Sequence, residues 1–162
     1  MPQLPDGLKW LILRKFNREL PERMPASLEY LALNSYTGPR LLQLPDSLKI
    51  LGLSYFNGTL PERMPSNLQE LNLNSYNGFD LPKFPETLKR LYLGNFEGNT
   101  KSTGSKTVYY FPKGVEKLYI PNFRGSVYSL ENLTNLKKIC TNYLEPPPGV
   151  INECNWDNFI RD

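Results

Sequence analysis

The chain contains no histidine and only two cysteines among its 162 residues. Histidine is the commonest general base and metal ligand, and two cysteines alone supply neither a zinc site nor a convincing nucleophile. No apolar run approaches the roughly 18 residues of a membrane span, and the start MPQLPDGLKW lacks the pattern of a secretory signal. We therefore expect a protein that is no enzyme, holds no cofactor, contacts no membrane, and stays in the cytoplasm or is delivered into a host cell.

Charge and proline content further limit the possible partners and the fold class of the protein. The formal net charge is only +3, which argues against a nucleic-acid partner. The chain carries 15 prolines, which would break long helices. Its length fits about one domain of the usual size. We expect one globular unit with few helices.

A 20-residue repeat runs through nearly the whole chain. One pattern is shared by LPDGLKWLILRKFN, MPASLEYLALNSYT, LPDSLKILGLSYFN, MPSNLQELNLNSYN and FPETLKRLYLGNFE: apolar, Pro, two free residues, Leu, two free, Leu, one free, Leu, two free, aromatic. A sixth copy follows with Val115 at the leading position, and a weaker seventh has Leu136 there. The pattern predicts about seven repeats over residues 1–145 and a capping segment over 146–162.

The spacing has a direct structural interpretation. Alternate residues of a strand point to the same side, so Leu31 and Leu33 face the core while Ala32 faces out. The rest of each repeat returns the chain to the next parallel strand, and its prolines favour extended or polyproline II geometry. These features predict a solenoid with a parallel sheet on its concave side, a non-helical convex side and a short C-terminal cap.

Two further positions recur with the same period. The aromatic position is predicted to form a buried stack, and it holds Phe16, Tyr36, Phe56, Tyr76, Phe96 and Phe123. A glycine stands two residues later in most copies and predicts a turn with positive φ: Gly38, Gly58, Gly78, Gly98 and Gly125.

The period and the L-x-x-L-x-L core identify the chain as a leucine-rich repeat horseshoe. The pair LP and MP before SLEYLAL resembles the LPX-type repeats of bacterial type III secreted effectors. The run LPDSLKILGLSYFNG is similar to the FNIP repeats of social amoebae and giant viruses. Both resemblances imply a repeat that binds proteins, with any catalysis or recruitment residing in an attached domain. No such domain is expected within these residues.

The outward strand positions are the candidate binding surface. Early repeats place apolar and aromatic residues there, and later repeats place basic residues and tyrosines. The candidate partner-binding residues are Trp10, Ile12, Tyr30, Ile50, Lys89, Arg90, Tyr92, Lys117, Tyr119 and Lys138. Aromatic residues and arginine are typical interface anchors. Gathered positive charge would favour an acidic partner surface. The alternative is that these lysines serve only solubility.

Two segments break the repeat. An inserted loop near residues 99–106 is either a tolerated insertion or a functional edge. The final segment ends in Trp156, Phe159 and Ile160, whose spacing predicts a helical turn laid over the last open coil. Cys140 and Cys154 lie in this region; they could form a bridge, but without a sign of secretion we expect reduced thiols.

Two functions are compatible with these patterns. The first is a non-catalytic recognition module that binds a partner protein through the concave strands. The second is an assembly module that docks a second copy or another domain through its first coil, which begins without a polar cap.

Overall fold

The structure is a computed structural model that describes residues 3–18, 20–41, 43–78, 80–98, 108–127 and 130–161. The predicted inserted loop at 99–106 lies outside the described residues. The described residues reveal how each repeat becomes one coil and how the coils stack.

Eight parallel strands form the main sheet, in the order β1-β2-β3-β4-β5-β7-β9-β10. They are β1 (Trp10–Ile12), β2 (Tyr30–Ala32), β3 (Ile50–Gly52), β4 (Glu70–Asn72), β5 (Arg90–Tyr92), β7 (Lys117–Tyr119), β9 (Lys138–Cys140) and β10 (Ile151–Asn152). β6 (Val108–Tyr109) and β8 (Ser126–Val127) form a separate parallel pair. From β1 to β9 the neighbouring strands pair at identical repeat positions, as Leu31 does with Leu11 and Leu51. The protein is therefore a parallel β-solenoid, as the repeat predicted.

A tight turn opens each coil, on a proline in every coil but the seventh, where Leu133 takes that position. In the second coil the backbone N–H of Leu28 donates to the carbonyl of Pro25 at 3.1 Å, and the other repeats close the same turn. The turn aims the three leucines of the second coil, Leu28, Leu31 and Leu33, into the core, where all are fully buried. Val150 closes the same turn on Pro147, inside the segment that the sequence predicts to be a cap outside the repeat. The chain thus begins a further coil that ends in β10.

Among the described residues the return path is almost entirely non-helical, as predicted. The helical elements among the described residues are a 3₁₀ turn at Leu130–Asn132 and the helix α1 (Trp156–Ile160). Among those same residues, the structure contains no helix with the length and apolar character needed to cross a membrane.

The aromatic position forms the predicted buried stack. Rings of neighbouring coils lie parallel, with centroids 5.9 Å apart for Tyr36 and Phe56 and 5.9 Å apart for Phe96 and Phe123. The exception is Phe16 in the first coil, which is only partly buried. The phenol of Tyr76 donates to the carbonyl of Asp80 at 2.7 Å, and burial raises the pKa of this phenol. The stack buries its rings and still satisfies the tyrosine hydroxyl.

The recurring glycines serve close packing in most coils. Among the described glycines only Gly98 and Gly149 have positive φ, so the prediction of that geometry is wrong for Gly38, Gly58, Gly78 and Gly125. A Cβ atom at residue 78 would overlap the ring of Tyr76 and lie within contact of its hydroxyl oxygen. Glycine is required at residue 78 because the aromatic ring lies where a side chain would begin.

Replacing Gly78 by alanine is expected to lower the free energy of unfolding by about 1–3 kcal/mol, because the ring must move within a packed core. Gly7→Ala is the matched control, since a Cβ there meets no atom within 4 Å. Urea denaturation of both variants gives the comparison. Equal stability of the two variants would contradict the packing explanation.

Candidate binding surface

The strand register gathers nine of the ten candidate residues on one face of the sheet. Outward side chains form two rows across β1 to β9, which we call the outer strand face. One row contains Trp10, Tyr30, Ile50, Glu70, Arg90, Lys117 and Lys138, and the other contains Ile12, Ala32, Gly52, Asn72, Tyr92, Tyr119 and Cys140. Lys89 directly precedes β5.

The first three strands present an open apolar group. Trp10 is 65% exposed and Ile12 is 51% exposed. The rings of Trp10 and Tyr30 stack with centroids 5.0 Å apart and an interplanar angle of 11°. Ile50 is half-buried next to Tyr30 in the same row. We call Trp10, Ile12, Tyr30 and Ile50 the open aromatic group.

A shallow depression continues this surface toward β4. Its volume is about 580 Å³, and its lining includes Ile12, Tyr30, Ile50, Tyr55 and Glu70. Tyr55 is exposed at its edge. The depression combines apolar and polar groups and is open, which suits a protein side chain better than an enclosed small molecule.

The tyrosines of the later strands are covered by the chain's own C-terminal segment. Trp156 and Phe159 of α1 pack edge-on against the ring of Tyr119, with centroid distances of 4.8 and 5.0 Å. The same two rings contact Tyr92 at 5.4 and 6.1 Å. As a result Tyr92 is only 5% exposed, and Phe159 is fully buried. Burial also raises the pKa of the Tyr119 phenol.

Two predicted basic anchors hold the end of the same segment. The Lys138 ammonium donates to the carbonyls of Asn158 and Arg161 at 3.1 and 2.9 Å. Lys117 donates to the carbonyl of Arg161 at 3.3 Å. Cations at the carboxyl end of a helical turn satisfy its unpaired carbonyls. These lysines therefore fix α1 on the outer strand face.

The structure corrects the predicted placement of the cap. α1 lies over β5, β7 and β9 on the outer strand face, whereas the last coil is covered by β10, which pairs with β9. Leu144 and Val150 pack against the core beside it. The physical reason is that two adjacent tyrosine rings offer Trp156 and Phe159 more aromatic contact than a coil end does. The sequence signal for this site was that the fifth and sixth repeats both place a tyrosine at the same outward position, Tyr92 and Tyr119.

The cysteines form a disulfide, contrary to the expected reduced thiols. The sulfur atoms of Cys140 and Cys154 are 2.10 Å apart, and the Cα atoms are 4.7 Å apart. Cys140 is the third residue of β9 and is fully buried, while Cys154 is exposed two residues before α1. Cys140 pairs with Tyr119 across neighbouring strands, so its sulfur lies next to the ring that α1 covers. Docking of α1 on that ring therefore brings Cys154 close to Cys140. The bond ties the segment to the outer strand face.

Ion pairs neutralise much of the positive charge on the face. Glu29 lies between Lys9 and Lys49, with oxygen to nitrogen distances of 3.4 and 2.7 Å. Glu116 pairs in the same way with Lys89 and Lys137, and Arg90 lies 3.5 Å from Glu70. Exposed pairs of this kind contribute little to stability, because solvent screens the attraction between the charges. The alternation of lysines with glutamates along the strands supports the interpretation that many of these lysines serve solubility and local pairing.

The pairing lowers the pKa of Glu29, chiefly through the hydrogen bond from Lys49 and next through the one from Lys9. A lowered folded-state pKa means that the pairing stabilises the fold above the ordinary glutamate pKa and that this contribution is lost as pH falls through the folded value. Lys49→Met is expected to return the pKa of Glu29 toward its ordinary value, and Lys9→Met to do so less. Carboxyl titration by NMR measures both, and an unchanged pKa in Lys49→Met would refute the assignment.

The described residues of this surface contain no cluster suited to metal binding. Within the part of the chain that the structure describes, no three His, Cys, Asp or Glu side chains come together in a way that could hold a metal ion. The chemistry that the outer strand face offers is aromatic contact, apolar contact and hydrogen bonding.

Comparison with known proteins leaves the surface as the basis for assigning function. No family model matches the chain. No curated protein is significantly similar to it either.

Proposed function

We propose that this protein is a leucine-rich repeat module, related to the LPX-type and FNIP repeats, that binds a partner protein without catalysing a reaction. The observation that carries the proposal is the open aromatic group, in which a stacked Trp10 and Tyr30 stand beside the exposed Ile12. Tryptophan and tyrosine are the residues most enriched among interface hot spots. Large exposed apolar side chains gathered on one rigid sheet are typical of binding sites.

The charge around this group favours an acidic partner. Lys9 and Lys49 share the single carboxylate of Glu29, so the three side chains together retain one positive charge. Complementary charge at the rim of an apolar contact accelerates association more than it increases affinity. We propose that the partner places an apolar side chain on Trp10 and Tyr30 and carboxylates near the two lysines.

Trp10→Glu is expected to reduce partner capture by about tenfold or more, because it removes an anchor and adds a charge at the centre of the contact. A photoreactive phenylalanine at position 12 would trap the partner in an extract of the organism that makes the protein. The yield of a discrete covalent adduct, measured by gel and mass spectrometry, is the readout.

Tyr110→Glu is the matched control, because Tyr110 is equally exposed but lines the return side of the solenoid. Its adduct yield should equal that of the unmutated chain. An equal yield from Trp10→Glu would refute the proposed site.

A second candidate function rests on the end of the solenoid. Leu8, Leu11, Leu13 and Phe16 of the first coil are only partly buried, whereas the leucines at the same positions of the second coil are fully buried. Under this alternative the first coil docks a second copy. Light scattering across a concentration series separates the two: a dimer that Leu11→Asp abolishes supports assembly, and a steady monomer supports recognition of a different protein.

A further inference from the structure

The contact between α1 and the later strands has the chemistry of a peptide bound to a receptor surface. Trp156 and Phe159 are three residues apart, so a helical turn points both toward the sheet. They meet Tyr92 and Tyr119 at ring distances between 4.8 and 6.1 Å. Phe159 is fully buried by this contact. The outer strand face therefore contains a site that fits two aromatic residues of a helical turn.

The surface also supplies what the helical turn lacks by itself. α1 contains only five residues, far fewer than an isolated helix needs in water. At its start the Asn155 side chain accepts a hydrogen bond from the Asn158 N–H at 3.2 Å. At its end the ammonium groups of Lys138 and Lys117 donate hydrogen bonds to the last carbonyls. The sheet thus recognises a helical turn by its aromatic side chains and its carboxyl end.

We propose that Tyr92, Tyr119, Lys117 and Lys138 form a binding site for a short helical segment of a partner protein that carries two aromatic residues three positions apart. The chain's own C-terminal segment occupies this site while the Cys140–Cys154 disulfide is intact. The proposal extends the proposed function to a second site on the same outer strand face. It is separate from the open aromatic group, since Tyr92 of β5 lies two strand spacings of about 4.8 Å, roughly 10 Å, beyond Ile50 of β3 and four spacings, roughly 19 Å, beyond Ile12 of β1.

The disulfide decides whether a partner can compete. A tethered segment acts at an effective concentration of about millimolar or more, so a free partner segment binds poorly while the tether is short. A dithiol reductant opens the bond by attack of its thiolate on the sulfur of the exposed Cys154, and Cys140 leaves as a thiolate that takes up a proton. The reductant's second thiol then releases Cys154 as a thiol, and the reductant becomes a disulfide. After this exchange the covalent connection between the segment and the sheet runs only through the chain that leads from β10 into α1.

The test uses the full chain and a labelled peptide with the sequence Asn155–Arg161 of this protein as the probe. In the presence of a dithiol, the Trp156→Ala/Phe159→Ala variant cannot fill its own site. It should bind the peptide with a dissociation constant at least about tenfold lower than the oxidised unmutated chain. Fluorescence anisotropy measures both. Adding Tyr119→Ala should abolish the binding, and a peptide with alanine in place of both aromatics should not bind.

Absence of binding to the double variant at about 1 mM peptide would overturn the proposal. A second measurement covers the case in which that variant does not fold. The chain has two tryptophans, so Trp10→Phe leaves Trp156 as the only one. Reduction of this chain should at least double the acrylamide quenching of Trp156, because the loosened segment exposes its ring, and unchanged quenching would overturn the redox dependence.

Failure of the peptide-binding test can be distinguished from failure of partner binding at the open aromatic group. Combining Trp10→Glu with the double variant should leave peptide binding unchanged, because Trp10 lies on a different part of the outer strand face. Loss of partner capture in Trp10→Glu alone tests the open aromatic group only.

Discussion

Replacing Phe96 by alanine is expected to lower the free energy of unfolding by about 3–5 kcal/mol, the usual cost of deleting a fully buried phenylalanine ring. Phe96 is completely buried and contacts three other aromatic rings. Its ring stacks between those of Tyr76 and Phe123, at 6.1 and 5.9 Å, and meets the edge of Tyr109 at 5.3 Å. Deletion leaves a cavity that three rigid neighbouring rings cannot close.

Phe16→Ala is the matched control, because it removes the same side chain from the same repeat position. Phe16 is partly exposed, and among the described residues only the second coil packs against it. Its replacement should therefore lower the free energy of unfolding by less than half as much as that of Phe96. Urea denaturation followed by circular dichroism gives both values. In a solenoid each coil contacts only its neighbours, so the position of a coil within the stack decides the cost. Equal losses for the two variants would contradict this account of the aromatic stack.

The interior of the solenoid was predictable because the repeat imposes the same local requirement in every coil. Leu31, Leu51 and Leu71 pair with one another across the sheet because each follows its proline turn by the same number of residues. A period of two along the strand then fixes which side chains point outward. The common face of nine of the ten candidate residues was therefore predictable from the sequence.

The C-terminal segment was not predictable to the same degree because it occurs once. Its destination depends on contacts between residues far apart in sequence, such as Phe159 with Tyr92. The spacing of Trp156 and Phe159 correctly indicated a helical turn, but nothing in that spacing distinguishes a coil end from the outer strand face. The prediction of positive φ failed for a related reason. Whether glycine is needed at residue 78 for its backbone conformation or for lack of space depends on where the Tyr76 ring lies.

Opening the disulfide by Cys154→Ser is expected to destabilise the C-terminal segment by about 3 kcal/mol, the loop-entropy estimate for a loop of about 15 residues. Cys140 and Cys154 are 14 residues apart. Because the segment docks on the outside of the sheet, its opening need not disturb the stacked coils beneath it. The loss should therefore be local and leave the urea midpoint of the solenoid nearly unchanged.

Hydrogen exchange followed by mass spectrometry measures this prediction region by region. A local loss of about 3 kcal/mol corresponds to roughly a hundredfold faster exchange, since each 1.4 kcal/mol is a factor of ten. The amides of Trp156–Ile160 should show this increase, while those of β3 should keep their protection. The unmutated chain in a dithiol should match Cys154→Ser, and the variant itself should not respond to the dithiol.

The pattern of change decides between a docked segment and an integral part of the core. Faster exchange throughout the coils would mean that α1 supports the whole solenoid, and the site under it could not open without unfolding. No change anywhere would mean that the contacts of Trp156, Phe159 and Lys138 hold the segment without help from the disulfide. An increase confined to the segment requires that Tyr92 and Tyr119 become accessible while the sheet that carries them stays folded, which is the condition for a partner to bind there.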